Sequence, residues 1–272
     1  MPSSYKKPGF DAKYFEQLLS SLPTLDNKTI AITGTTSGMG FIAAETCGRL
    51  GAKVVLLNRP SSRSADSLDK LKANVSNAQF HKVDCDLQSF ASVRASIKAI
   101  NELCPEGLNV LCNNAGIMAF RDEPTVDGYD VQMQTNHLSH FLLTKLLIPK
   151  LEQAAEKYGE ARVVNHSSVA RLQQKKLKSE YLEKRGGNLG GDGASMFFSG
   201  ARWVRYSQTK LANATFTACL HEKFQKSKPK LKAMVAHPGL AESDLQSSTV
   251  QDGGMGSFFT KYLMKLGQSE KD

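Results

Sequence analysis

Short, continuously apolar runs alternate with longer amphipathic stretches along this chain, and that alternation leaves few folds open. Lys28–Thr33 leads into a helical pattern from about Gly38 to Leu50, and Lys53–Asn58 into one reaching about Val75. Phe80–Val83 precedes a helix from about Ser89 to Leu103, and Leu108–Cys112 a long one from about Val126 to Leu151. Arg162–His166 is followed by a helix from about Val204 to Phe224, and Leu231–Ala236 closes the series. Strands that are apolar at every position are buried on both faces, as in a parallel sheet with helices above and below it. The pattern predicts an α/β fold: one Rossmann-type doubly wound parallel sheet of six strands.

Three regions stand outside the repeat. Residues 1–27 form a leader with a predicted helix near Asp11–Leu19. Residues 171–203 are a Gly-rich insertion, and 240–272 a tail. The catalytic domain is expected to occupy 28–272. With 272 residues, 40% of them hydrophobic and 22% charged, the chain has the make-up of a soluble globular domain. No apolar run reaches the ~20 residues of a membrane span. Neither stable membrane insertion nor a secretory signal is expected, and a cytoplasmic location is. The five cysteines are scattered without a Cys-x-x-Cys pair, which fits free thiols in a reducing compartment. The net charge of +9 raises the question of nucleic acid. Its densest cluster, Lys175 to Arg185, is broken by Glu180 and Glu183 without an aromatic ladder. That reads as a solvated face, so no nucleic-acid partner is expected.

Chemistry concentrates at the ends of the predicted strands. Thr33-Gly-Thr-Thr-Ser-Gly-Met-Gly40 follows the first strand and opens the first long helix, where Gly34, Thr36, Ser37, Gly38, Met39 and Gly40 can bring backbone N–H groups to a pyrophosphate. Arg59 follows the second strand. An acidic residue there would pair with a ribose 2′-hydroxyl, whereas a cation favours a 2′-phosphate, so NADP(H) is expected over NAD(H). Asp84 past the third strand could accept from an adenine amino group, although Asp84 and Asp86 are equally placed to cap the next helix. Asn113-Asn-Ala-Gly116 follows the fourth strand. Tyr206 and Lys210 lie four apart on one helical face, where an ammonium can lower a phenol's pKa and fit it for acid–base work. Ser167-Ser168 ends the fifth strand, and Asn136 places an amide inside a long helix. His137 and His140 have no third ligand at supporting spacing, so no metal site is expected.

In this order, these motifs resemble the short-chain dehydrogenase/reductase family, in particular its retinol-dehydrogenase-like branch, over about residues 28–245. The matching stretches are Thr33–Gly40, Asn113–Gly116, Asn136–Thr144, Tyr206 with Lys210, and Pro238-Gly239. The resemblance implies an NADP(H)-dependent oxidoreductase acting on a carbonyl or alcohol, with a catalytic tetrad of Asn136, Ser168, Tyr206 and Lys210. Ser167 is the fallback for Ser168. It implies that Asn136 holds a water, that Lys210 binds the nicotinamide ribose, and that Asp84 and Cys85 face adenine. Asn113, Ala115 and Gly116 would line the cofactor, with Pro238 and Gly239 beside the nicotinamide amide. An apolar small-molecule substrate and a homodimer are also implied.

The chain departs from the family in the length of the insertion between Ser168 and Tyr206. The N-terminal membrane segment of many relatives is not expected here. With the sequence stopping at Asp272, either it is truncated there or the sheet is expected to lack the family's last edge strand. Phe258–Leu266 is expected to form a lid over the substrate. A catalytically idle NADP(H)-binding or interaction protein that retains the fold is the alternative reading.

Overall fold

The computed structural model describes residues 13–194, 199–239 and 244–256. The leader helix α1 (Phe15–Ser21) buries Phe15 and docks on the rest of the chain through a two-pronged Arg49–Glu16 ion pair. Then come β1 (Thr29–Thr33), α2 (Gly38–Arg49), β2 (Lys53–Asn58), α3 (Ser62–Asn74), β3 (Gln79–Asp84), α4 (Phe90–Leu103) and β4 (Val110–Asn113). The second half runs α5 (Val131–Met133), a π-turn (Gln134–Leu138), α6 (Ser139–Tyr158), β5 (Ala161–His166), α7 (Ala201–Ser227), β6 (Leu231–Ala236) and α8 (Asp244–Gln251).

All pairings in the sheet are parallel, in the order β3-β2-β1-β4-β5-β6. The expected single doubly wound sheet is the fold of this protein. The central strands β1 and β2 are buried almost throughout because successive residues enter two different cores, whereas β3 at the edge alternates buried and exposed positions. Ala31, Val55 and Leu57 pack with Val93 and Ile100 of α4 and Leu143, Leu147 and Leu151 of α6. Their neighbours Ile30, Ile32, Val54 and Leu56 pack on the opposite face with Ala44 of α2 and Leu71 of α3. Among the described residues β3 and β6 are the edge strands, and Met234 and Val235 of β6 are about half exposed. The strand order reverses between β1 and β4, which opens a crevice at the carboxyl ends of the strands.

The long helix expected from Val126 starts later. Gly128 takes φ 85°, Thr125 N–H bonds Tyr129 O, and Pro124 bridges Asp130, so residues 124–130 make a tight loop. Asp130 then caps α5 by accepting from Met133 N–H at 2.8 Å. The expected leader helix begins at Phe15; residues 1–12 lie outside the described part, as does the expected lid Phe258–Leu266.

Asn113, expected at the cofactor, turns into the protein instead. Its amide donates to Thr144 Oγ1 (2.9 Å) and Asn165 Oδ1 (2.8 Å), and Asn165 donates to Thr217 Oγ1. This buried chain ties β4 and β5 to α6 and α7. Asn113→Ala therefore strands two buried polar groups and is expected to cost about 1–3 kcal/mol. Chemical denaturation would read that loss, with nucleotide affinity unchanged.

Candidate active site

The loop after β1 is held by a single hydroxyl. Thr33 Oγ1 accepts from the N–H groups of Asn114 and Ala115, both at 3.0 Å, and lies 2.9 Å from His140 Nε2. His140 Nδ1 meets the carbonyl of Asn136 at 3.0 Å. A carbonyl only accepts, so Nδ1 carries the proton and Nε2 takes the Thr33 hydroxyl proton. Complete burial pushes the His140 pKa down to about 4, which keeps this arrangement neutral. The Asn114 amide donates to the carbonyls of Thr33 and Gly34. One position on, Thr35 and Asn58 exchange two 2.8 Å hydrogen bonds that join the loop to the end of β2.

Here the glycines are sterically required. Gly34 has φ 71°, and a Cβ on it would lie 2.8 Å from the Ala115 Cβ. A Cβ on Gly40 would lie 2.2 Å from Gly34 O and 2.4 Å from Asn114 Nδ2. One on Gly116 would come within 3.2 Å of Asn136 Oδ1 and 3.6 Å of Lys210 Nζ.

The resulting crevice is a cavity of about 460 Å³. Gly34, Thr36, Ser37, Gly38, Met39 and Gly40 line one wall, with Arg59, Cys85, Ala115, Gly116 and Lys210 elsewhere around it. Asp84, Asn113, Pro238 and Gly239, expected at the cofactor, do not line it, and neither does Tyr206, also expected to touch it. Asp84 lies on the sheet edge in an ion pair with Lys82 at 3.2 Å, and Asp86 takes the place by the cavity, accepting from Gln88 N–H. Asn113 is turned inward as described, and Pro238 and Gly239 follow β6 on backbone that lies away from the cavity walls.

Among the polar lining residues given no cofactor role from sequence are Arg63, Asn114, Asp86 and His166. Arg63 sits in the first turn of α3 and donates to Ser37 Oγ at 3.3 Å. A cation at a helix N-terminus opposes the helix dipole, and that misfit was a readable signal. His166 lines the cavity near Lys210, with Nδ1 3.3 Å from Asn114 O; burial, then the Lys210 charge, pushes its pKa down to about 3.

Of the expected catalytic residues Lys210 lines the cavity, whereas Asn136, Ser168 and Tyr206 do not. Tyr206 is 4% exposed, and burial pushes its phenol up to about 12 against the opposing hydrogen bond from Ser168. Lys210 is buried too and is pushed down to about 8; its ammonium lies 5.6 Å from the Tyr206 ring centroid and donates to His166 O. Desolvation thus outweighs the expected lowering of the tyrosine by the lysine. Near neutral pH the pair is a phenol beside an ammonium. Ser168 caps the short 3-10 helix Val169–Gln173 and reaches Tyr206, whereas Ser167 faces away and donates to Lys210 O at 2.8 Å.

The Asn136 side chain is fully engaged. It accepts from Ile117 N–H (2.8 Å) and donates to Ile117 O (2.9 Å) and Thr209 Oγ1 (3.0 Å). Its carbonyl meets His140, so Asn136 locks the β4 loop to α7. Around Tyr206 lie Ala119, Ala170, Trp203 and Met255, with Met118 and Val250 against them. His137 contacts Asn213 and the rings of Phe141 and Phe216. Among the described residues no group of three or more side chains could hold a metal ion.

A family model described as short chain dehydrogenase matches residues 28–182. The short-chain dehydrogenase TIC 32 A, chloroplastic, of Brassica napus is 34% identical over 227 residues, covering 80% of this chain and 65% of that protein. Retinol dehydrogenase 12 of Mus musculus is 32% identical over 222 residues, covering 81% and 64%. A solved structure of an uncharacterised protein from Mycobacterium paratuberculosis is 31% identical with a TM-score of 0.66, covering 92% and 80% of the two chains. Other solved structures of this fold hold NADH, NADPH or NAD. The chain belongs to the short-chain dehydrogenase family and is similar to its retinol dehydrogenases. It spans about 65% of the length of the chloroplastic relative. No helix among the described residues is long and apolar enough to cross a membrane.

Gly40→Ala would drive a methyl group into Gly34 O and Asn114. The expected result is a lower denaturation midpoint, by about 1–3 kcal/mol, together with weaker nucleotide binding in a fluorescence titration.

Proposed function

We propose that the protein is an NADP(H)-dependent oxidoreductase that moves a hydride between nicotinamide and a carbonyl or alcohol on a small apolar molecule. The observation that carries this is the meeting of Tyr206 with Ser168 and with Lys210, which itself lines the glycine-walled crevice. The glycine wall fits a dinucleotide, because at Gly34, Gly40 and Gly116 any side chain would fill the cradle or strike its supports. When bound, the nicotinamide supplies or takes the hydride.

The chain's own residues do the rest. The first turn of α2, from Gly38, offers N–H groups and the positive end of its dipole to a pyrophosphate. Arg59 and Arg63, both on the cavity wall, favour the extra phosphate of NADP(H). A phenol held at about 12 is a proton donor, so Tyr206 hands its proton to the carbonyl oxygen as the carbon accepts hydride. Ser168 orients that oxygen, and the Lys210 ammonium stabilises the phenolate left behind until it regains a proton from solvent. Asn136 keeps Gly116 and Ile117 in register beneath the reacting atoms. The apolar cluster of Ala119, Ala170, Trp203 and Met255 suits an apolar substrate body. The free cysteines suit a reducing compartment such as the cytoplasm. Phe141, 46% exposed on α6 beside Phe216 of α7, lies on the face through which a homodimer would form.

Tyr206→Phe removes only the proton donor. Turnover of any carbonyl the wild type reduces is expected to fall about 10²- to 10⁴-fold, with NADPH affinity retained. An unchanged rate would refute the mechanism, and NADPH binding without turnover of any carbonyl by the wild type would favour an idle binding protein. Replacing Arg59 and Arg63 together by Ala should weaken NADPH roughly tenfold or more while sparing NADH. Equal loss for both nucleotides in parallel titrations would count against the phosphate assignment.

A further inference from the structure

Ala119 has φ 48°, one of two non-glycine residues among the described ones with positive φ. A Cβ disfavours that region, and such a residue persists there only where its surroundings fix it. The surroundings are two arginines on the turn of α7 just before Tyr206. Arg202 donates to Ala119 O at 3.4 Å, and Arg205 to Phe120 O at 3.1 Å. The strained turn is thus gripped at both of its carbonyls.

Arg205 is completely buried and grips more than this turn. One of its terminal nitrogens donates to Leu189 O (3.1 Å) and Gly191 O (2.8 Å) in the insertion. Its Nε lies 3.3 Å from Asp130 at the start of α5 and the same terminal nitrogen 3.6 Å from Asp122, with the half-exposed Asp192 at 3.9 Å. Asp122 in turn accepts from the N–H groups of Leu189 and Gly191. The residues on either side of Ala119 face the reaction. Met118 packs in the cluster around Tyr206, and Phe120 lines the crevice.

Building on the reductase reading above, we propose that Arg205 is a positioning residue for the substrate. Its guanidinium fork holds the strained 119–120 turn and the 187–192 insertion against α7, so that Met118 and Phe120 form a fixed apolar wall beside Tyr206. The insertion is therefore part of the substrate site's frame. A lysine keeps the positive charge among Asp122, Asp130 and Asp192 but presents one point donor in place of a planar fork.

Arg205→Lys, Ala119→Gly and the double variant separate this from a general folding role. Nonanal serves as the carbonyl probe; NADPH affinity is read from Trp203, the single tryptophan, which lies edge-on to Tyr206. Arg205→Lys is expected to raise the KM for nonanal about tenfold, with a smaller effect on kcat and no change in NADPH affinity. Glycine takes positive φ without strain, so Ala119→Gly added to Arg205→Lys is expected to recover much of the lost KM. The proposal is overturned if Arg205→Lys leaves KM unchanged, if KM and NADPH affinity worsen together, or if the double variant is no better than Arg205→Lys. Should Arg205→Lys not fold, Arg202→Lys, which loosens the same turn from the Ala119 side, is put through the same three criteria. A wild-type protein that neither binds nor reduces nonanal would sink the apolar-substrate reading. A wild type that reduces it while Arg205→Lys behaves identically would sink the positioning role alone.

Discussion

The Thr33 hydroxyl joins the parts of this molecule that have to meet. It has one proton and two lone pairs, and all three are used: the proton toward His140 on α6, the lone pairs for the N–H groups of Asn114 and Ala115 after β4. β1, β4 and α6 are thereby fixed to one another at the point where the strand order reverses. The glycine loop begins at the next residue, so the position of a bound dinucleotide depends on this junction. Asn136 hangs from the same chain through His140, and its side chain grips Ile117 and Thr209. Cofactor loop and catalytic helix are linked through buried hydrogen bonds whose loss would leave polar groups unpaired in an apolar interior.

Burial also selects the protonation states. It pushes Tyr206 up to about 12, Lys210 down to about 8, and His140 and His166 down to about 4 and 3. Each shift favours the uncharged form, and only Lys210 remains charged at neutral pH. A lone ammonium near a neutral phenol, in a site whose histidines cannot compete for its proton, is suited to stabilising negative charge as it appears on the tyrosine.

The fold was legible from sequence because its signal is long and repeated: six short, largely apolar runs alternating with amphipathic stretches admit little but a two-faced parallel sheet. The glycine loop, Tyr206 and Lys210 were legible because spacing alone sets their neighbours. What misled was direction. Asn113 and Asn114 are adjacent on a strand end and point to opposite sides, so one closes the core network and the other braces the loop. Asp84 and Asp86, two apart, differ because β3 ends between them: Asp84 stays on the exposed edge, and the chain turns after it to bring Asp86 to the cavity. The Ser167–Ser168 pair repeats the lesson, since only the second serine emerges toward Tyr206. Near a strand end, one residue of register decides between structure and chemistry, and a motif does not encode that turn. The start of α5 was lost for a different reason, a tight loop at Gly128 inside an otherwise helical pattern.

The insertion was the hardest region to read, and the reason lies in its supports. Five of the eight residues Gly186 to Gly193 are glycine, so little in its composition distinguishes a packed segment from a solvated one. Its order comes from outside, through its backbone carbonyls and N–H groups: Arg205 donates to the carbonyls of Leu189 and Gly191, and Asp122 accepts from their N–H groups. A fully buried arginine is costly unless it is paired, and here three main-chain carbonyls accept from its terminal nitrogens while nearby carboxylates offset its charge, although Nε, 3.3 Å from Asp130, makes no hydrogen bond. An arginine immediately before the catalytic tyrosine looks like an ordinary helix residue in sequence. In three dimensions it couples the longest departure from the family pattern to Tyr206, the proposed proton donor. Variation in the insertion can therefore alter the substrate wall without disturbing the Thr33 junction that holds the cofactor end.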